Sequence, residues 1–307
     1  MEFAAELAHY QRALARAPLS GATRAKYVAR VRGFLVWLAG SALHADGEAD
    51  PLQDRAARDG AVWDWRVWAK TVGRQAPATI NNTLAAVDDF YVRRGLGAAA
   101  ARREVLPRRA PKALGGREVV RYLRAVEHCG SARDTVVALL PFYAGLRIGE
   151  VVGLGVADVA LSARKGSLRV RGKGRDGGKV RELPLTRPEL RTALAAWLEE
   201  RPSWPAADQS DALLLNRRGG RLSDRAARAI VTDLGERIGL VEDTGTGGEF
   251  GPHVLRHTFA TQLIRAGVDP VLVADLLGHA SLDTVRIYSQ PDDADRERAL
   301  ALLTTDG

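Results

Sequence analysis

Residues 168–185 read LRVRGKGRDGGKVRELPL, and the period of the apolar side chains changes within this stretch. Apolar and polar residues alternate over 168–170 and again over 180–183, a pattern typical of strands. The segment between them, GKGRDGGK, is rich in glycine and typical of a hairpin tip. The stretch therefore predicts a small antiparallel β-sheet in a chain whose remaining pattern is helical.

On both sides of this hairpin, apolar residues recur at three- and four-residue steps, which predicts amphipathic helices. Before it we expect helices over residues 3–15, 20–40, 62–72, 79–94, 116–129 and 131–144. After it we expect helices over 187–200, 222–239, 252–266, 269–277, 281–287 and 292–303. Ser20 is the expected N-cap of the second helix, and Gly40, Gly130 and Gly145 are the expected stops. The fold class is mainly α with one small antiparallel sheet.

The length and the breaks in the pattern predict two domains. A chain of 307 residues is long enough for two separate cores. Residues 1–100 form a helical bundle in this interpretation, and residues 116–307 form an α+β domain. Residues 101–115 are basic and contain Pro107 and Pro111, so they are interpreted as a linker.

The charge favours a polyanionic partner. The chain carries 45 Lys and Arg against 37 Asp and Glu, a formal net charge of +8. Residues 93–112 hold seven basic side chains and one acidic, and residues 164–181 hold eight against one. A solvated surface explains either run alone, but two such runs beside turn signals favour nucleic acid.

Three classes of protein are disfavoured by the composition. Cys129 is the only cysteine, so an intrachain disulfide framework is excluded. The first residues lack the order of a signal peptide, and no apolar run approaches the roughly 20 residues that span a bilayer. We therefore expect a cytoplasmic protein without membrane association.

The segment GPHVLRHTFA at residues 251–260 predicts a helix with a cationic face. Pro252 suits the first turn, and helical spacing places His253, Arg256 and His257 on one side. A cationic face of this kind suits the binding of phosphate. Alternatively, the two histidines are part of the core or form half of a zinc site. A zinc protease needs Glu at the second position of HExxH, where this chain has Val254.

Further candidate residues occur along the second domain. Arg147 follows a helix-ending glycine, and Glu150 lies three residues on, able to orient the guanidinium or to form an ordinary surface ion pair. Lys173 lies in the hairpin tip, and His279 precedes Tyr288 by nine residues. Each residue taken alone also has a structural explanation.

Taken in order, four blocks resemble the signature blocks of the tyrosine recombinases, the phage-integrase or Xer type. They are GLRIGE (145–150), VRGKGRDGGKVRELPL (170–185), PHVLRHTFAT (252–261) and LLGHASLDTVRIY (276–288). The resemblance covers nearly the whole chain. It implies a SAM-like, DNA-binding core-binding bundle followed by a catalytic domain with a C-terminal docking helix.

The resemblance also implies roles for the candidate residues. The implied catalytic set is Arg147, Lys173, His253, Arg256, His279 and the nucleophile Tyr288, with Glu150 and His257 in support. The arginines and His279 would stabilise the phosphate, His253 would be the base and Lys173 the acid. Extra residues 176–178 in the hairpin leave Lys179 as an alternative acid, although Lys173 is preferred.

The implied function is site-specific recombination of integrase or transposase type. Double-stranded DNA would be cut and rejoined through a 3′-phosphotyrosyl link without metal, cofactor or ATP. The resemblance further implies a homodimer on each site, a tetramer in the synaptic complex, an accessory or partner recombinase, and a bacterial, nucleoid-associated location. Two alternatives stay open: a DNA-binding accessory protein without catalysis, and a metal-dependent phosphodiesterase using His253, His257 and His279.

Overall fold

The computed structural model describes residues 3–41, 49–106, 113–162, 164–172, 180–240 and 250–278. The chain divides into two compact units, Met1–Arg108 and Arg109–Gly307. Across the described ranges, the prediction of a mainly helical chain with a small antiparallel sheet is confirmed. No helix in these ranges is both long and apolar enough to cross a membrane.

The described part of the first unit contains four helices around one apolar core. They are α1 (Ala4–Ala15), α2 (Gly21–Ala39), α3 (Arg55–Thr71) and α4 (Pro77–Arg93). Helix α2 begins and ends as predicted, because the Ser20 hydroxyl accepts from the Thr23 N–H at 3.1 Å and Gly40 follows the last turn. Its Phe34 ring packs edge-on against Trp65 of α3 in the core.

Helix α3 begins seven residues earlier than the predicted residue 62. Asp54 is its N-cap and accepts from the Ala57 N–H at 2.8 Å. The first turn has no apolar stripe, and its buried Arg58 donates to main-chain carbonyls instead, so periodicity could not identify it. Helical spacing from Trp65 and Trp68 would continue an apolar stripe to Val72, but Val72 is 69% exposed.

The described part of the segment after α4 is fastened to the first unit. The Ala99 N–H donates to Asp88, and Asn81 exchanges two hydrogen bonds with the main chain of Glu104. The Glu104 carboxylate in turn forms an ion pair with Arg66 at 2.6 Å. These contacts order the chain up to this point of the basic segment.

The described part of the second unit packs seven helices and three strands. The helices are α5 (Gly116–Glu127), α6 (Ala132–Tyr143), α7 (Ile148–Gly153), α8 (Pro188–Glu200), α9 (Asp224–Arg237), α10 (Pro252–Arg265) and α11 (Pro270–Leu277). The strands are β1 (Val159–Leu161), β2 (Gly166–Arg171) and β3 (Val180–Pro184), antiparallel in the order β1-β2-β3. Helix α7 and strand β1 were not predicted, since each is too short for its periodicity to be recognised.

Helix α6 is the centre of this unit. Buried side chains lie on all of its sides, including Val136, Val137, Leu140 and Phe142. It contacts α8, α9 and α10, so the residues that follow α6 are held against a rigid core. The hairpin register places Leu168 opposite Leu183 and Val170 opposite Arg181.

The Asp54 cap is expected to matter for the stability of the first unit. Asp54→Ala removes the acceptor for an N–H at the start of α3, and we expect a loss of about 1 kcal/mol in the free energy of unfolding. Asp54→Asn keeps an acceptor and is the matched control. Urea denaturation measures both variants, and equal losses would contradict the assigned cap.

Candidate active site

Arg147 lies in the short turn between α6 and α7, immediately before the first residue of α7. The Glu150 carboxylate in the first turn accepts from the Arg147 main-chain N–H at 3.0 Å and from its Nη1 at 3.1 Å. The same Nη1 donates to the Leu277 carbonyl at 3.3 Å. Helix capping and side-chain positioning are therefore performed by one carboxylate.

Gly145 makes this turn possible. Its φ of +63° lies in the left-handed region, and a Cβ there would come within 2.6 Å of the Phe259 ring. The turn directs the Gly145 carbonyl toward α10, where it accepts from Arg256 Nη1. The glycine that ends α6 thus also supplies a hydrogen-bond acceptor for Arg256, the second candidate arginine.

Arg256 is buried at the centre of the site, with a side chain only 4% exposed. Its Nη2 donates to the Leu277 carbonyl at 2.8 Å, and its Nη1 lies 3.7 Å from Glu150 Oε2. Arg147 and Arg256 therefore share the Leu277 carbonyl and adjoin the same carboxylate. The structure brings together two arginines that are 109 positions apart in the sequence.

A third arginine, Arg181 of β3, was missed by the sequence analysis. Its Nη1 and Nη2 donate to the two oxygens of Glu150 at 3.1 and 2.9 Å, and its Nε donates to the Leu276 carbonyl at 3.0 Å. A signal was present in the sequence: strand alternation places Arg181 on the same buried face as Leu183. A charged residue at such a position needs a buried partner.

Glu150 is ionised at neutral pH in this environment. Burial raises the pKa of its carboxyl, but hydrogen bonds from Arg181 and the Arg147 main chain, with the nearby Arg256 charge, hold that pKa below its ordinary value. Within the described ranges, three guanidiniums therefore surround one carboxylate. The excess positive charge suits a phosphate group.

Arg147 has donors to offer such a group. Its side chain is 36% exposed, and among the described residues its side-chain partners engage only Nη1. The other guanidinium nitrogens are not used in these contacts and can bind a ligand. Arg147 is thus the more accessible of the two arginines and Arg256 the more buried.

The two histidines of α10 differ in exposure. His253, in the first turn, is the more exposed of the two, but its remaining burial, together with Arg228, Arg256 and Arg147, lowers the pKa of its imidazole. Burial, His253 and Arg256 lower the pKa of His257 from 6.5 to about 4. Both imidazoles are therefore neutral at pH 7.

The remaining candidates fall outside the described residues. These are Lys173, its alternative Lys179, His279 and Tyr288. Gly278 is the last described residue, directly after Leu277, whose carbonyl Arg147 and Arg256 share. Among the described residues, no group of three or more His, Cys, Asp or Glu side chains is arranged to hold a metal ion.

The lowered pKa of His257 predicts a pH-dependent stability. The unfolded chain takes up a proton at this imidazole below about pH 6.5, whereas the folded protein does so only near pH 4. Acidification across this interval therefore lowers the free energy of unfolding. We expect His257→Gln to lose less stability between pH 7 and pH 5 than the unchanged protein, as measured by urea denaturation.

An NMR titration of His257 with a midpoint at or above 6.5 would contradict the account.

Comparison with known proteins places this chain in a family. Residues 112–295 match the phage integrase family. The tyrosine recombinase XerD of Mycobacterium tuberculosis (strain ATCC 25618 / H37Rv) is 37% identical over 214 residues, covering 65% of this chain and 64% of that protein. The tyrosine recombinase XerC of Haemophilus ducreyi is 40% identical over 167 residues, covering 54% and 50%. The chain thus matches less than two thirds of the length of either relative.

Three solved structures share the fold. XerH recombinase bound to difH substrate before cleavage has a TM-score of 0.69 at 23% identity, covering 91% of this chain and 79% of that one. The Tn1549 transposon integrase with transposon right end DNA has a TM-score of 0.69 at 18% identity, covering 96% and 98%. A lambda integrase dimer bound to a core site has a TM-score of 0.67 at 15% identity, covering 94% and 97%.

The family match covers more than half of the chain and includes Arg147, Glu150, Arg181 and Arg256. By sequence and by fold, the chain belongs to the phage integrase family of tyrosine recombinases.

Proposed function

We propose that this chain is a site-specific tyrosine recombinase of integrase or transposase type. In this proposal it cuts and rejoins DNA strands through a covalent 3′-phosphotyrosyl intermediate, without metal or ATP. The observation that carries the proposal is the convergence of Arg147 and Arg256 on the Leu277 carbonyl and on the Glu150 carboxylate. Family membership supports the same conclusion.

The two arginines would bind the scissile phosphate. As phosphorus becomes five-coordinate, negative charge builds up on its non-bridging oxygens, and permanently charged guanidiniums stabilise that charge. Arg147 supplies accessible donors, and Arg256 supplies a buried positive charge close by. In an environment shielded from water, these interactions are stronger than in bulk solvent.

Tyr288 would be the nucleophile. Its phenolic oxygen forms the new bond to phosphorus as the 5′ oxygen of the next nucleotide departs. The phenolic proton would pass to His253, whose lowered pKa keeps the imidazole neutral and able to accept it. Lys173, or alternatively Lys179, would protonate the leaving oxygen, and His279 would donate a further hydrogen bond to the phosphate.

Rejoining would reverse these steps with a different strand. The phosphotyrosyl ester conserves the energy of the broken bond, so a 5′ hydroxyl can attack it and restore the phosphodiester. His257 and Glu150 would support the residues that touch DNA rather than touch it themselves. This division of roles is consistent with the burial of Glu150 and the partial burial of His257.

Double-stranded DNA is the proposed substrate, bound by the first unit as a core-binding domain and by the second unit as the catalytic domain. We propose a homodimer on each site and a tetramer in the synaptic complex, with residues 292–303 as a docking helix and an accessory or partner recombinase. The lambda integrase dimer on its core site and the net charge of +8 support this arrangement. A nucleoid-associated, cytoplasmic location belongs to the same proposal.

Trapping of protein-linked DNA tests the proposal. The protein is incubated in EDTA with sheared genomic DNA of its source, the reaction is stopped with detergent, and the protein-linked ends are isolated and sequenced. We expect covalent DNA at a recurring sequence, linked through its 3′ phosphate. A synthetic duplex of that sequence, nicked beside the cleavage position to trap the intermediate, then serves for kinetics.

Tyr288→Phe should abolish the covalent product and leave DNA binding intact. Tyr143→Phe is the matched control, because this half-buried tyrosine of α6 lies outside the proposed chemistry and should leave the product unchanged. A covalent product that persists in Tyr288→Phe would overturn the nucleophile. Binding without any covalent product would favour the accessory-protein alternative, and cleavage abolished by EDTA would favour the metal-dependent one.

A further inference from the structure

Arg181 is a buried arginine whose every side-chain nitrogen is engaged. Two nitrogens bind the two oxygens of Glu150, and the third binds the Leu276 carbonyl at the end of α11. The residue is 8% exposed, and its register partner in the hairpin is the buried Val170. Arg181 therefore links β3, α7 and the end of α11 without presenting its charge to solvent.

Stability alone is a weak reason for such a residue. Moving two charged groups out of water costs free energy, and their mutual attraction often does not recover that cost. Well-packed apolar side chains can therefore often replace a buried ion pair without loss of stability. What apolar replacements could not supply is a fixed carboxylate. Paired donation to both oxygens sets the plane of the Glu150 carboxylate, and that carboxylate holds the Arg147 side chain.

The end of α11 is shaped to admit the Arg181 guanidinium. Gly278 has a φ of +63°, and a Cβ there would lie 2.7 Å from Arg181 Nη1. The neighbouring Leu277 carbonyl accepts from both Arg147 and Arg256. One guanidinium thus contacts Glu150 and the main chain next to a carbonyl that the proposed catalytic arginines share.

We propose that Arg181 is a positioning residue for phosphate chemistry. It fixes the orientation of the Glu150 carboxylate and the position of the end of α11, so that Arg147 and Arg256 can bind the same phosphate. This inference rests on the proposed function. Without Arg181, Arg147 becomes the main cationic partner of Glu150, and the Arg147 guanidinium is drawn toward that carboxylate and away from the ligand.

The expected kinetic effect is on rate rather than on binding. Arg181 is too buried to contact DNA, so Arg181→Met should keep the dissociation constant within about 3-fold. A catalytic group displaced by about 1 Å costs about 10²-fold in rate, and we expect a loss of this order in single-turnover cleavage at saturating duplex. Arg181→Lys keeps the charge but loses paired donation, so it should cleave at an intermediate rate.

Arg201 provides the matched control. It is 7% exposed in the same unit, and its guanidinium donates to the main-chain carbonyls of Ala207, Ser210 and Ala212 rather than to the site. Arg201→Met should lower the thermal unfolding temperature, as Arg181→Met does, but should cleave at the wild-type rate per folded molecule. Should Arg181→Met not fold, the comparison is made with Arg181→Lys.

A readout without DNA separates this inference from the proposed function. The Nε–Hε NMR signal of Arg147, assigned by its loss in Arg147→Lys, should shift in Arg181→Met and remain in place in Arg201→Met. Wild-type cleavage rates in the folded Arg181 variants, or an equal rate loss in Arg201→Met, would overturn the inference alone. If the unchanged protein forms no covalent DNA, the proposed function fails, and the Arg147 signal then decides: a shift supports the positioning role and an unchanged signal overturns it.

Discussion

The buried carboxylate of Glu150 is the constraint on which the site depends. An ionised carboxyl removed from water is tolerated only when cations and hydrogen-bond donors satisfy its oxygens. In the described part of the chain, Arg147 and Arg181 donate to it directly, and Arg256 lies within ion-pair distance. These residues come from a turn, a strand and a helix, so the pairing of one carboxylate aligns three separate elements.

The same arrangement leaves an excess of positive charge. Among the described residues, three guanidiniums surround one carboxylate. The excess positive charge of this site favours the binding of an anion. Burial is the main cause of the lowered pKa values of His253 and His257, and the nearby Arg256 charge lowers both further. The excess positive charge and the neutral state of the two histidines therefore occur in the same partly buried environment.

Much of the fold was predictable because long helices follow a regular pattern. The start of α2 at Ser20 and the turn at Gly145 carry local signals that tertiary contacts do not override. The predicted start of α3 was wrong because its first turn is stabilised by the Asp54 cap and by buried Arg58 rather than by an apolar stripe. Strand β1 and helix α7 are too short to show a period.

Within the site, Arg147, Glu150 and Arg256 were recognisable from the family blocks, but their burial was not. The spacing of Arg147 and Glu150 was also compatible with an ordinary surface ion pair. In the structure, however, Glu150 is buried and contacts Arg181 as well as Arg147. Arg181 lies within a recognised block, yet its partner is 31 positions away and becomes apparent only when β3 packs against α7. The polar position on a buried strand face was the one signal that pointed to it.

The most direct test of the account is a crystal structure of the Tyr288→Phe protein with its cleavable duplex bound. We expect Arg147 and Arg256 to donate to non-bridging oxygens of one phosphate while Glu150 keeps its paired contact with Arg181. A scissile phosphate bound away from these two arginines, or a Glu150 carboxylate released from Arg181 in the complex, would contradict it.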